Sequence, residues 1–453
     1  MKISMTNQKQ AQGQRTLLLI IITFLTITTL VILLQTLTLR SSFHVSPPCD
    51  LVLNETRSKL QDMITFLPLK DLRYTHNPFQ VHTTWFMSSI NDIQEMDQAH
   101  HLYFPSKGKI LCLHGHDPSN GANNSYALTW PEVLPAGAKL LSGLTFISET
   151  FYDYTNLWHG LSAMTPFVNW YQNKHCMVPE RWVLFHWGEL RLRMTPWLET
   201  LMEVSIGRKV KIEKFNDDGD RPVCFEKAVV FRRNEGGMSK TNKEKVYDLM
   251  RCKARAYCDV GDQYHGLEKG KKKVIRLTLF LRVGSRSFKN ETTVVTVSGE
   301  ECRKVDGCKL RVAHSHNLSF CDQVKLMSDT DVLITPHGAQ LTNMIFMNKN
   351  SSVLEFFPKG WLEFAGVGQY VFRWLADWAG MRHEGAWNDP NGQKCPYTDN
   401  AECFTFYKDG QVGIDEGFLG KWLARVLNEV KEHKNNINGQ ANLSSSACSC
   451  SLV

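Results

Sequence analysis

The 453-residue sequence predicts an α/β protein: two Rossmann-like domains facing a cleft, preceded by a transmembrane helix and a stem. Three observations predict it. An uncharged apolar run lies near the N-terminus. Two series of apolar strands alternate with helical segments on either side of a basic stretch. The second series contains a strand, a small-residue turn and a helix start in Ser328–Asn343. Alternating strands and helices build parallel sheets covered by helices. No repeat of 20–50 residues is present, which excludes a solenoid.

Leu17–Leu39 is 23 residues without a charge, long enough for a bilayer core of about 30 Å. Lys2, Lys9 and Arg15 precede it and only Arg40 follows closely, so the positive-inside rule leaves residues 1–16 in the cytosol and the rest across the membrane. A cleaved signal peptide is the alternative. The run exceeds the ~7–15-residue core of such peptides, and no clean small-x-small cleavage site follows it. Residues 40–70 read as a stem, Ser/Pro-rich and then helical from Asn54 to Phe66.

In the first series, residues 71–268, Lys109–His114, Lys139–Phe146, Trp182–Trp187 and Lys227–Arg232 read as strands. Leu157–Gln172, Met194–Ile206 and Thr241–Ala256 read as helices. The basic run Lys269–Lys273 has no interleaved aromatics for stacking on bases and reads as a solvated linker. In the second series, residues 269–434, Val274–Leu281, Val332–Thr335 and Val353–Phe357 are strands. Cys321–Met327 and Phe418–Lys434 are helices, and another runs through Leu341 and Phe346. Residues 435–453 read as a disordered Asn/Ser-rich tail. Its final Cys450-Ser-Leu-Val matches a prenylation box only superficially, because the box needs cytosolic enzymes.

Thirteen cysteines are many to keep reduced in the cytosol. Cys252/Cys258, Cys302/Cys308 and Cys395/Cys403 are spaced to close short loops, and the odd count leaves at least one thiol unpaired or linked to another chain. Sequons stand at Asn54, Asn123, Asn290, Asn317, Asn350 and Asn442; those at Asn290 and Asn350 adjoin proposed site segments. No Cys/His cluster has zinc spacing. The net charge of +7 suits anionic ligands without pointing to nucleic acid.

The turn after Val332–Thr335 carries the chemistry. His337, Gly338 and Ala339 lead into Gln340, Leu341, Thr342 and Asn343. The first N–H groups of a helix lack partners and favour negative charge, and in open α/β sheets ligands bind beyond the carboxyl ends of the strands. An ordinary strand–helix connection is the alternative. Arg282, Ser285 and Arg286 follow the strand Val274–Leu281, with Asn290 and Glu291 just beyond. Guanidinium forks fit phosphate oxygens, so the two segments would embrace a diphosphate from two sides. Glu355 would accept hydrogen bonds from ribose hydroxyls, or is a strand-end carboxylate in solvent. Asp329-Thr330-Asp331 has the spacing of a cation-binding Asp-x-Asp, but both carboxylates precede the strand. About four residues of strand, roughly 13 Å, separate them from the turn.

Arg282-x-x-Ser285-Arg286-x-x-x-Asn290-Glu291, Asp331-Val332-Leu333-Ile334-x-x-His337-Gly338-Ala339-x-Leu341-Thr342-Asn343 and Val353-Leu354-Glu355-x-x-Pro358 resemble glycosyltransferase family 61. The likeness extends over roughly Lys107–His433 and is closest to plant members. It implies a GT-B fold with residues 71–268 on the acceptor side and 269–434 binding the nucleotide sugar. It also implies inversion at the anomeric carbon, no cofactor and no essential metal. The partners implied are a UDP-sugar, a pentose donor foremost, and a cell-wall polysaccharide or glycoprotein glycan. UDP-N-acetylglucosamine transfer to protein is the runner-up. Gln340 replaces the family's usual third glycine and puts a side chain near the donor. Asn156-Leu157-Trp158-His159 resembles the family's Asn-x-x-His, which makes His159 the first candidate base and Glu189 the second. The carboxylate that often follows is missing in Ser162-Ala163-Met164, which leaves open a catalytically silent glycan-binding protein. Trp158, Trp170, Trp182 and Trp187 are candidates for stacking on acceptor sugars or for the core. Such a chain works in the Golgi membrane as a single-pass type II protein, with the ER as the other candidate.

Overall fold

The apolar run folds as one long helix, α1 (Ile3–Ser41). Within it Leu18–Thr36, with mean hydropathy 2.6, is long and apolar enough to cross a membrane. Its threonines do not break that character. The hydroxyls of Thr23, Thr26, Thr28, Thr29 and Thr36 bond back to carbonyls three or four residues earlier, which satisfies these hydroxyls within the helix. Helix α2 (Cys49–Asp62) starts and ends a turn before the expected Asn54–Phe66. These helices form one unit, Met1–Met63, and Ile64–Val453 forms another. The computed structural model describes residues 3–41, 49–69, 101–150, 153–174, 176–231, 237–260, 274–387, 389–390 and 392–436. The basic run Lys269–Lys273 and most of the expected tail lie outside the described residues, as does the sequon at Asn442.

The second unit carries two sheets. The first comprises β1 (Leu67–Pro68), β2 (His101–Phe104), β3 (Ile110–His114), β4 (Ser125–Thr129), β5 (Lys139–Thr150), β6 (Arg181–His186), β7 (Glu189–Arg191) and β8 (Val223–Phe231). Their order is β1-β4-β3-β8-β5-β6-β7, with β2 also on β8. Only β5–β6 and β5–β8 are parallel. The expected parallel sheet is therefore a mixed one. Its antiparallel pairs include β6–β7 and β3–β4, whose connections are too short for a crossover. Helices α3 (Leu157–Asn173), α4 (Pro196–Ile206) and α5 (Lys240–Tyr257) accompany this half. Asn156, Thr195 and Ser239 cap their N-termini through side-chain oxygens.

The second sheet is all parallel. It comprises β9 (Ile275–Leu281), β10 (Cys308–His314), β11 (Val332–Pro336), β12 (Ser352–Phe356) and β13 (Arg382–Ala386), in the order β10-β9-β11-β12-β13. Its helices are α6 (Glu291–Arg303), α7 (Phe320–Ser328), α8 (Trp361–Phe364), α9 (Val371–Ala379), α10 (Asn400–Asp409) and α11 (Glu416–Asn436). On one face Leu277, Ile334 and Leu354 pack with Val294 of α6 and Trp422 and Leu423 of α11. The other face belongs to a core shared by both halves, in which Phe167, Trp182 and Met250 belong to the same cluster as Leu333, Phe346 and Leu375.

Disulfides follow the same plan. Cys302–Cys308 and Cys395–Cys403 close the expected short loops. Cys258 bonds Cys321 rather than Cys252, because six residues of helix place Cys252 and Cys258 on different faces. Cys112–Cys224 joins β3 to β8.

Cys258–Cys321 ties the end of α5 to α7 across 63 residues. A loop of that length is worth about 4 kcal/mol in the chain-entropy description, with 2–4 usual. Replacing both cysteines by serine should lower the thermal midpoint of the oxidised protein and leave the mutant's midpoint less sensitive to dithiothreitol.

Candidate active site

Parallel strands end together, so Arg282, His337 and Phe357 follow β9, β11 and β12 at one edge of the second sheet. Glu355, one residue before the end of β12, is fully buried. One of its oxygens meets His337 Nδ1 at 2.5 Å and the other meets His383 Nε2 at 2.7 Å. Burial opposes its charge, but the His337 and His383 rings outweigh it and hold the carboxyl below its ordinary value. The His337 ring is walled by Phe357, Trp361 and Phe372. Its Nε2 makes no hydrogen bond to protein among the described residues, so it can still serve a ligand. Glu355 itself cannot meet ribose hydroxyls as expected, since both oxygens are engaged and no surface is exposed.

The turn beyond β11 is tight. A Cβ on Gly338 would come within 2.1 Å of the Arg282 guanidinium and 2.4 Å of the Gln340 amide oxygen. Arg282 donates to the His337 carbonyl at 3.3 Å and to Gln340 Oε1 at 3.4 Å. The Gln340 amide also donates to the Pro336 carbonyl at 2.8 Å. Its side chain thus turns back into the protein as a brace, rather than outward toward a sugar. The following helix, Ala339–Phe346, is a 3-10 helix rather than an α-helix. The N–H groups of Gly338, Ala339 and Gln340 have no protein partner among the described residues.

Two arginines face each other's field here. Burial lowers the Arg282 pKa to about 10, and Arg286 pushes it the same way. Burial also lowers that of Arg286, against the pull of Asp409. Both remain cations at neutral pH. Neither forms an ion pair among the described residues, and the Nε of each is buried without an acceptor. Arg286 sits at φ +58°, its N–H on the Gly410 carbonyl at 2.7 Å and its guanidinium 5.6 Å from the Trp361 ring. Two half-buried cations beside three N–H groups without protein partners among the described residues give this edge of the sheet the donors that an anion requires.

The other expected donor residues serve the scaffold. Asn290 caps α6 by accepting from Thr293 N–H at 3.1 Å, and Glu291 pairs with His314 at 3.1 Å. Ser285 is half-buried in the loop between them and Arg282. Leu341 is core. Thr342 is fully buried. The Asn343 amide is spent on Trp197 Nε1 and the Gln340 carbonyl. Asp329 pairs with Arg276 and Arg311, and Asp331 with Lys434.

In the first half, His159 opens α3 at the carboxyl end of β5, its N–H capped by Asn156. Burial lowers its pKa to about 4, so the ring is neutral. Its neighbour Trp158 packs on Phe372, which packs on His337, so α3 reaches the wall of the anion site. Glu189 starts β7 and bonds Arg191 at 2.8 Å; Arg191 also holds Asp153 at 2.9 Å.

Comparison with known proteins adds the family. Residues 146–354 match the family model described as Glycosyltransferase 61. This chain carries a glycosyltransferase 61 domain. The chain is 26% identical over 345 residues to Alpha-1,3-arabinosyltransferase XAT2 of Oryza sativa subsp. japonica, covering 70% of this chain and 53% of that one. It is 32% identical over 84 residues to Protein O-linked-mannose beta-1,4-N-acetylglucosaminyltransferase 2 of Xenopus laevis, covering 18% of this chain and 14% of that one. The chain thus spans about half the length of the first relative and far less of the second. Among solved structures, rubredoxin oxygen:oxidoreductase from Desulfovibrio gigas aligns with 63% of this chain and 60% of its own at 11% identity and a TM-score of 0.22, too low to carry any argument.

The glycosyltransferase 61 domain contains His159, Glu189, the two arginines and the turn, but stops one residue before Glu355. His383 and Trp361 lie beyond it and were not anticipated. Nothing in their local sequence marks them, because His383 acts only through a register that puts β13 beside β12.

The Glu355 carboxyl is depressed below 4.5. Its stabilising contribution is therefore complete above that value and lost as pH falls through the lower, folded one. Glu355→Gln should cost roughly 3–5 kcal/mol at neutral pH by stranding two imidazoles. The gap in urea midpoint between wild type and mutant should narrow in acid; a gap constant from pH 7 downward would contradict it.

Proposed function

We propose that this chain is an inverting glycosyltransferase. It would move a sugar, xylose or arabinose foremost, from a UDP donor to a cell-wall polysaccharide or glycoprotein glycan. The observation that carries this reading is the pair of half-buried guanidiniums at the strand ends, without ion-pair partners among the described residues, beside the N–H groups of the turn. The arabinosyltransferase relative supports the pentose; the similarity to an O-mannose N-acetylglucosaminyltransferase supports UDP-N-acetylglucosamine as the second donor to test. The arrangement we favour is GT-B, with the second sheet holding UDP and the first half receiving the acceptor. The long apolar helix would anchor the chain as a type II protein of the Golgi membrane.

In the proposed step an acceptor hydroxyl oxygen attacks the anomeric carbon. The bond from that carbon to the β-phosphate oxygen breaks, and the hydroxyl proton passes to neutral His159. UDP leaves into the field of Arg282, Arg286 and the Gly338–Gln340 amides, with His337 Nε2 as a further contact. We assign the leaving-group charge to these groups and to no metal, because Asp329 and Asp331 are held by cations of their own.

Charge-assisted hydrogen bonds are worth roughly 1.5–3 kcal/mol each. Arg286→Ala should therefore weaken UDP binding about 10–100-fold by calorimetry, and Arg286→Lys should recover part of it. His159→Ala should keep UDP affinity and lose turnover. Turnover should survive EDTA; loss restored by manganese would overturn the metal-free assignment. A protein hydrolysing no UDP-sugar while binding glycans would be a silent binding protein.

Topology has its own test. Asn54, Asn123, Asn290, Asn317 and Asn350 are exposed. In plant cells, peptide N-glycosidase A should increase the protein's mobility. A protein carrying no glycan at all would argue against the lumenal orientation.

A further inference from the structure

Of the four tryptophans considered for acceptor binding, Trp158, Trp170 and Trp182 are core. Trp187 is 45% exposed. It occupies an expensive position. Only Trp187 and Gly188 separate β6 from β7, at φ +55° and +75°, the twist that a two-residue hairpin requires. Glycine or asparagine adopts this readily; a bulky side chain costs about 1–3 kcal/mol.

The turn is rigidly mounted. A Cβ on Gly121 would come within 2.1 Å of the Trp187 carbonyl oxygen. Asn124 Nδ2 donates to the Gly188 carbonyl at 2.6 Å, and Leu190 N–H to the Asp117 carbonyl at 3.0 Å. The Asp117 carboxylate in turn accepts from Ser119, Asn120 and Asn123. Beside the turn lies the Glu189–Arg191–Asp153 string, partly open to solvent. It offers both acceptors and donors for hydroxyls. The whole stands at the carboxyl end of β6, the parallel neighbour of β5, whose own end leads to α3 and His159.

We propose that Trp187, with Glu189, Arg191 and Asp153, is a sugar-binding subsite in which a ring of the glycan acceptor stacks on the indole while its hydroxyls bond the charged string. That the glycan is an acceptor rests on the transferase reading; that a sugar binds here does not. A rigidly mounted, half-exposed aromatic with polar groups nearby is the usual composition of a recognition anchor.

The test is calorimetry of the detergent-solubilised full chain with xylohexaose, arabinohexaose and an O-mannosyl peptide bearing N-acetylglucosamine. At least one should bind. Trp187→Ala should weaken that one about 10–30-fold, Trp187→Phe should recover part of the loss, and UDP affinity should not move. Where that probe also accepts sugar, its KM should rise with kcat nearly kept. Oligosaccharide binding unchanged in Trp187→Ala, or no probe bound by a protein that binds UDP, would overturn the subsite. Trp187-dependent sugar binding by a protein that does not bind UDP would keep the subsite and sink the transferase reading.

Discussion

The candidate site depends on one buried carboxylate. Glu355 lies inside the second sheet with no solvent to stabilise its charge, so it requires two partners and has them in His337 and His383. That requirement fixes the His337 ring from below while Phe357, Trp361 and Phe372 fix it from the sides. The His337 carbonyl then receives Arg282, and Arg282 reaches Gln340 across Gly338, where a Cβ would displace both side chains. A removed partner would leave an uncompensated charge in a low dielectric, which is why such clusters rigidify what surrounds them. The geometry of the turn is thereby fixed by the protein itself.

The far end of the same turn is held by the other half of the molecule. Arg251 of α5 is buried and donates to the Ile345 and Ala379 carbonyls, while Arg255 donates to that of Phe346. The Ile345 and Phe346 carbonyls close the Ala339–Phe346 helix, where cations are favoured, and that of Ala379 closes α9. Trp197 of α4 adds its hydrogen bond to Asn343. The helix is therefore strapped to α4 and α5 along its length, and its N-terminal amides are the part left without protein partners among the described residues. This also explains why Leu341 and Asn343 face the core: a 3-10 helix of eight residues clamped on two sides has little surface to offer beyond its first turn.

Much of the architecture could be read from apolar periodicity. The strands at Lys139, Trp182, Val274, Val332 and Val353 and the helices at Leu157, Thr241 and Phe418 appear within a few residues of their observed limits. What escaped was set by tertiary context. Helix α6 runs through Thr292, Thr293, Val294, Val295, Thr296 and Val297, β-branched residues that argue against a helix locally. It forms because Val294 is buried and Asn290 caps it. Strand β10 is too polar and exposed to show an apolar pattern. At the site, the Arg282–Arg286 and His337–Gln340 segments were legible because chain-local chemistry makes them. The burial of Glu355 and the roles of His383 and Trp361 were not, because they arise from strand register and from packing across about twenty to eighty residues.

Charge is sorted along the second sheet in a way that bears on its chemistry. At the entry to β11, Asp329 and Asp331 are matched by Arg276, Arg311 and Lys434. At the carboxyl ends of the strands, Arg282 and Arg286 have no ion-pair partner among the described residues, and burial weakens the hold of each on its proton. A protein gains nothing in stability from two desolvated like charges. An arriving diphosphate would relieve both the repulsion and the missing hydrogen bonds at once, so its binding energy would be drawn from a cost already present in the folded state. The same sorting argues against a cation at Asp329 and Asp331. A metal there would displace three cations already in place, at the end of the strand remote from the turn.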